Sequence, residues 1–198
     1  MIAIIDYGAG NIRSVANALE RAGASYCLTA SPADILAADH VILPGVGEAA
    51  SAMARLHERG LDELIRELRM PVLGICIGLQ LLCRSSEEGA ARCLGVFDTD
   101  VRRLPEADAG GTRLKVPHVG WNTVGSLSSP LFEGLDEGTF FYYVHSYAAD
   151  PCAGTVALTD YGRPFAAAIC RGNFFATQFH PEKSGAAGAR LLRNFLQL

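Results

Sequence analysis

The stretch VLGICIGLQLL, Val72 to Leu82, predicts a strand, a sharp turn and a helix in immediate succession. Val72–Ile75 is a continuous apolar run, the pattern of a strand buried on both faces. Ile77–Arg84 then takes helical spacing. Between them Gly74-Ile75-Cys76-Ile77-Gly78 forms G-x-C-x-G, the cysteine version of a nucleophile elbow. A nucleophile on such a turn stands clear of the sheet. The flanking glycines are needed because strand and helix backbones approach too closely there for side chains. The N–H groups of the new helix point towards the sulfur and favour thiolate. Any one of the six cysteines (27, 76, 83, 93, 152 and 170) is by default a small buried apolar group, but only Cys76 has this context.

Upstream of the elbow the pattern alternates. Ile2–Asp6 predicts a strand, Asn11–Ala22 a helix capped by Gly23, and Tyr26–Thr29 a second strand. Ser31-Pro32-Ala33-Asp34 supplies an N-cap and a first-turn proline. His40–Leu43 predicts a third strand, stopped by Pro44-Gly45-Val46-Gly47, and Glu48–His57 and Leu61–Leu68 read as helices. This β-α-β-α-β-α-β order implies right-handed crossovers and a parallel sheet covered on both faces. Function then belongs at the C-terminal strand ends, in the loops after Asp6, Leu43 and Ile75. Downstream, short strands are predicted at Leu94–Phe97, Val101–Leu104, Phe140–Val144, Thr155–Leu158, Ala166–Cys170 and Phe174–Phe179, with a closing helix over Ala186–Leu196. They read as antiparallel additions. The fold class is therefore α/β, a mostly parallel central sheet flanked by helices, and residues 1–198 read as a single domain.

Composition excludes several classes. With 49% hydrophobic and 19% charged residues, the chain has the balance of a folded globular protein. Its formal charge of −4 offers no electrostatic grip on nucleic acid or an anionic membrane. No apolar run reaches transmembrane length and no secretory leader is visible, so a cytoplasmic protein with reduced thiols is expected. No CxxC pair or cysteine–histidine cluster predicts a metal site, and no cofactor is expected. Gly8-Ala9-Gly10 after the first strand raises the question of a dinucleotide cradle. That fingerprint needs a third glycine where Arg13 stands, and an acidic residue ending the second strand, which Thr29 is not.

A nucleophilic cysteine needs a base. Among five histidines, His40 and His57 suit bland structural roles, and His118 and His145 sit beside aromatic and turn residues. His180, in FATQFHPEKSG, ends a strand on the side of the sheet where Cys76 belongs. Glu182 follows two residues later, so that in extended chain both side chains point the same way. A Cys76–His180–Glu182 triad is the reading. Pro44-Gly45-Val46-Gly47 offers unobstructed backbone N–H groups for an oxyanion hole, with a plain turn as the alternative.

Together, the elbow with Gln80, Pro44–Gly47, Phe179–Ser184, DYGAGNIRS at the N-terminus, KVPHVGWN at 115–122 and YYVHSY at 142–147 resemble the triad, or class I, glutamine amidotransferases. Among these they are closest to the glutaminase subunits of imidazole glycerol phosphate synthases. The likeness spans nearly the whole chain; Val119 departs from the methionine frequent at that position. It implies the flavodoxin-like fold of that family and hydrolysis of glutamine through a thioester on Cys76. It implies oxyanion donors at the Val46 and Ile77 N–H groups, and glutamine held by Gly45, Gly47, Gln80, Ser146 and Tyr147. It implies an oxyanion strand able to rest in an inactive conformation. It also implies docking on a (β/α)8-barrel cyclase through Asn11, Pro117, His118, Gly120, Trp121, Asn122 and Lys183. From the sequence alone, Trp121 lies in a polar, turn-rich context and suits an interface anchor and a buried structural role equally.

Overall fold

The computed structural model describes residues 1–8, 12–45 and 47–198. Asn11, Gly10 and Val46, for which the sequence predicts roles, lie outside the described residues. The first half alternates as read: β1 (Ile2–Ile5), α1 (Ile12–Arg21), β2 (Tyr26–Thr29), α2 (Pro32–Leu36), β3 (His40–Leu43), α3 (Ala49–Glu58), α4 (Leu61–Glu67), β4 (Val72–Ile75) and α5 (Ile77–Leu82). Ser31 caps α2 by accepting the Asp34 N–H through Oγ. Gly23, at φ 72°, ends α1 while the Ala24 N–H reaches back to the Leu19 carbonyl. That is the left-handed cap a glycine allows.

The central sheet has seven strands. Its order is β11-β12-β13-β4-β3-β1-β2, with β11 (Thr155–Asp160), β12 (Pro164–Arg171) and β13 (Phe174–Thr177) from the second half. The strands from β13 to β2 run parallel, and β12 and β11 are antiparallel additions at one edge. This is the α/β class read from the sequence. Strand periodicity divides the core. Ala3, Ile5, Val41, Leu43 and Val72 pack one face against α3, α4 and α5, whereas Ile2, Ile4, Ile42, Leu73 and Ile75 pack the other against α1 and the final helix α6 (Gly185–Phe195).

Two smaller sheets complete the molecule. One joins β5 (Ser85–Ser86), β6 (Ala91–Arg92), β7 (Asp100–Arg103) and β10 (Tyr147–Ala149); the other is an antiparallel ribbon of β8 (His118–Thr123) and β9 (Phe140–His145). Three sequence readings need correction here. Leu94–Phe97 is not a strand. Its N–H groups instead serve the end of α5, with Leu94, Gly95 and Phe97 donating to the carbonyls of Leu81, Cys83 and Leu82. A helix end leaves those acceptors without an intrahelical partner, and this loop supplies the donors. His118–Thr123 is a strand rather than a turn-rich segment, despite Gly120 within it. And β13 ends at Thr177, short of the predicted Phe179. No helix among the described residues is long and apolar enough to cross a membrane.

Candidate active site

The elbow is tight. Cys76 has φ 53° and ψ −106°, a backbone conformation that costs energy for a side-chain-bearing residue and collects at functional sites. It is held from both sides: its N–H donates 2.7 Å to the Thr177 carbonyl on β13, and its own carbonyl accepts the Leu79 N–H at 3.0 Å. A Cβ on Gly78 would run into the Leu43 carbonyl of β3, and one on Gly74 would lie 2.8 Å from the Gly78 backbone. Both glycines are required by close approach, as the sequence predicts. The sulfur lies 3.7 Å from the Gln178 side-chain amide nitrogen and 3.8 Å from the Val144 carbonyl. Ile77 holds the first helical position, where an N–H has no intrahelical partner.

His180 and Cys76 line the same cavity, of about 270 Å³. His180 Nδ1 lies 2.8 Å from Glu182 Oε1, and both side chains are 2% exposed. A carboxylate only accepts, so Nδ1 carries a hydrogen and Nε2 is the nitrogen left to exchange a proton with the site. The contact does not arise from extended chain, as the residue spacing predicts. His180 lies beyond the end of β13, and Pro181–Lys183 is a 3₁₀ turn that folds Glu182 back onto the ring. Ser184 fixes this turn, donating to the His180 carbonyl and accepting the Tyr142 N–H. Burial opposes protonation of His180. Interaction with the Cys76 sulfur, and then with Glu182, outweighs burial and lifts the ring to about 10.

Gln80 donates from Nε2 to the Tyr147 carbonyl at 2.8 Å and to Gln178 Oε1 at 3.1 Å. Its Oε1 and His180 Nε2 are buried without a hydrogen-bond partner among the described residues. Both belong to residues lining the cavity, together with Gly47, Ile77, Ser146 and Tyr147. Buried polar atoms are normally satisfied, so two orphans at one cavity mark a place for a polar ligand.

The family model for glutamine amidotransferase class-I matches residues 3–198. The chain belongs to the class I glutamine amidotransferases. It is 54% identical to the imidazole glycerol phosphate synthase subunit HisH of Bacteroides fragilis, covering 100% of this chain and 99% of the relative. It is 47% identical to HisH of Dehalococcoides mccartyi, covering 100% and 97%. It therefore falls within the HisH branch of the family. A crystal structure of a glutamine amidotransferase superposes with TM-score 0.74 at 21% identity over 99% of this chain and 97% of that one. A glutamine amidotransferase from Thermotoga maritima gives TM-score 0.66 at 18% identity over 99% and 82%. These two speak for the fold.

The remaining predicted residues of this amidotransferase fall into distinct groups. Gly45 is pressed against Ile77 and Gly78 instead of lining the cavity. Pro117 lines it. Trp121 is exposed, edge-on to Tyr142, whose ring also carries Lys183 Nζ at 5.8 Å. The buried alternative for Trp121 is thereby excluded. Gly120 and Asn122 are half-buried on the same ribbon, and Val119 and Phe140 add exposed apolar surface there. His118 needs correction: it is buried between Tyr143 and Tyr161, not a surface contact. Sequence reasoning also missed Gln178, beside the sulfur, and Glu88, a carboxylate at the cavity wall. Neither follows from local spacing, since each is brought in by packing between distant elements.

His118 and His145 form a directed pair. His145 Nδ1 donates to the Tyr147 carbonyl, so its Nε2 accepts from His118 Nδ1 at 3.1 Å. Both rings are neutral. Burial holds His118 down to about 4, and burial outweighs the Tyr147 hydrogen bond to hold His145 down to about 3. The unfolded chain takes up these protons first as pH falls below about 6.5. Stability is then full above that pH and is lost as pH falls towards 4, by about 1.4 kcal/mol per pH unit per ring. A thermal midpoint measured from pH 7 to 4.5 should begin to drop below pH 6.5, above the carboxylate range.

Proposed function

We propose that this chain, working as one cytoplasmic domain, is the glutaminase subunit of an imidazole glycerol phosphate synthase. The single observation that carries the reading is the shared cavity. A cysteine on a strained elbow faces it beside a histidine whose other nitrogen is held by a buried carboxylate. Cys76 Sγ gives its proton to His180 Nε2 and attacks the side-chain amide carbon of glutamine. The oxyanion that forms takes hydrogen bonds from the N–H groups of Ile77 and Val46. His180 Nε2 gives its proton to the amide nitrogen, the C–N bond breaks and ammonia leaves. His180 then takes a proton from water, which attacks the thioester; the C–S bond breaks, glutamate leaves and His180 returns the proton to the sulfur. Gln80 Oε1, with the backbone of Gly47, Ser146 and Tyr147, holds the substrate, and the Glu88 carboxylate faces its ammonium group.

By family resemblance the ammonia passes to a (β/α)8-barrel cyclase, which converts PRFAR to imidazole glycerol phosphate and AICAR in histidine biosynthesis. The exposed strip of Val119, Trp121 and Phe140, with Lys183 beside it, supports a docking face at the ribbon. The test is glutamate release by the purified chain, alone and mixed with the barrel cyclase and its nucleotide substrate. Complex formation with at least tenfold stimulation is expected. Failure to associate, or equal rates with and without the partner, would count against it.

A further inference from the structure

We infer that Tyr7 is a positioning residue for amide hydrolysis, its phenol orienting the backbone that leads into the oxyanion segment. The inference rests on the reading of the Cys76 site given above. Pairing between β3 and β4 ends at Leu43↔Gly74. Beyond Leu43 no ladder bond between these strands holds the chain among the described residues. Tyr7, 1% exposed at the end of β1, donates from its hydroxyl to the Pro44 carbonyl at 2.8 Å. That carbonyl belongs to the Pro44–Gly45 peptide, so the bond sets the plane of this peptide. The next peptide carries the Val46 N–H assigned to the oxyanion.

Two further observations give the bond leverage. Gly45 is pressed on the elbow: a Cβ there would lie 2.6 Å from Ile77 Cβ and 2.9 Å from the Gly78 nitrogen. A rotation at Pro44 therefore cannot be absorbed locally and reaches the backbone beside Cys76. Tyr7 is itself anchored. The Gly8 N–H donates to Asp6 Oδ1, Arg59 donates to the Asp6 carbonyl and Arg55 to the Gly8 carbonyl. The phenol also keeps its proton, since burial first and the charge of Cys76 second raise it well above the usual tyrosine range. It is a donor at every working pH. If Tyr7 merely filled the core, phenylalanine would serve as well.

Tyr7→Phe keeps the ring and removes the donor. With glutamine as substrate, in the presence and absence of the partner, kcat should fall about tenfold, below the larger loss from deleting an oxyanion donor outright. KM should change less than about threefold by the same argument, since the ground-state amide needs little oxyanion stabilisation. Alkylation of Cys76 by iodoacetamide, which forms no oxyanion, should keep its rate. Wild-type kcat in the variant would overturn the inference alone, as would a parallel fall in alkylation, which would place the effect on the sulfur. A wild-type chain that does not hydrolyse glutamine would overturn the reading of the site and the inference with it. Should Tyr7→Phe fail to fold, Arg59→Gln removes one tether of the same turn from the surface. It should lower kcat without lowering alkylation, and an unchanged kcat there overturns the inference.

Discussion

Cys76→Ala should reduce glutamine hydrolysis by about 10⁴-fold or more, the loss seen when a nucleophile that acts as a unit with its base is removed. No other cysteine replaces it. Cys83 and Cys93 are buried, with thiols that burial raises above the usual range. Cys27, Cys152 and Cys170 do not line the cavity. The substitution removes one sulfur from a site whose backbone is fixed by Thr177, Gly74 and Gly78, and it leaves the exposed ribbon untouched. Partner binding and the thermal midpoint should therefore stay close to wild type. Ammonia supplied externally should still serve the partner's reaction in the mixed complex. Retained glutamine turnover in the purified variant would contradict the assignment of the nucleophile.

Glu182→Gln should cost about 10²- to 10⁴-fold in kcat. The amide oxygen can still accept from His180 Nδ1, so the ring stays in place, but the charge that supports the imidazolium is gone. Glu182 is one of the groups that lift His180 to about 10. The sign follows from linkage. A raised histidine contributes stability that is full below about 6.5 and lost as pH rises through about 10. Removing the carboxylate lowers that upper limit. The high-pH limb of the glutamine-hydrolysis profile should move to lower pH in the variant, because an imidazole without the carboxylate loses its proton sooner. In wild type that limb should lie near the His180 value of about 10. Identical profiles in the two proteins would show that Glu182 does not act through His180.

Much of this is legible in the sequence because the information is local. The elbow reads from Val72–Leu82 alone: a buried strand, two glycines at close approach and a helix start are all properties of neighbouring residues. The alternation from β1 to α5 reads for the same reason. What the sequence misplaces depends on partners far away along the chain. Leu94–Phe97 has the apolar composition of a strand, but the free carbonyls of α5 claim its N–H groups. His118–Thr123 contains Gly120 and follows Pro117, both turn signals, yet it pairs along its whole length with β9. His180 and Glu182 do pair, though through a different geometry. A 3₁₀ turn brings them together where the spacing predicts extended chain. Gln178, Glu88 and Tyr7 acquire their positions only when β13, the segment after β5, and β1 converge on the elbow. No periodicity marks them.

The central claim is that glutamine becomes covalently attached to Cys76. The most direct measurement is labelling with a diazoketone analogue of glutamine, followed by peptide mass analysis of the whole chain. The account predicts one adduct per chain, on the peptide carrying Cys76, competed away by glutamine and absent from Glu182→Gln at short times. A label on any of the other five cysteines, or active protein that escapes labelling, would contradict it.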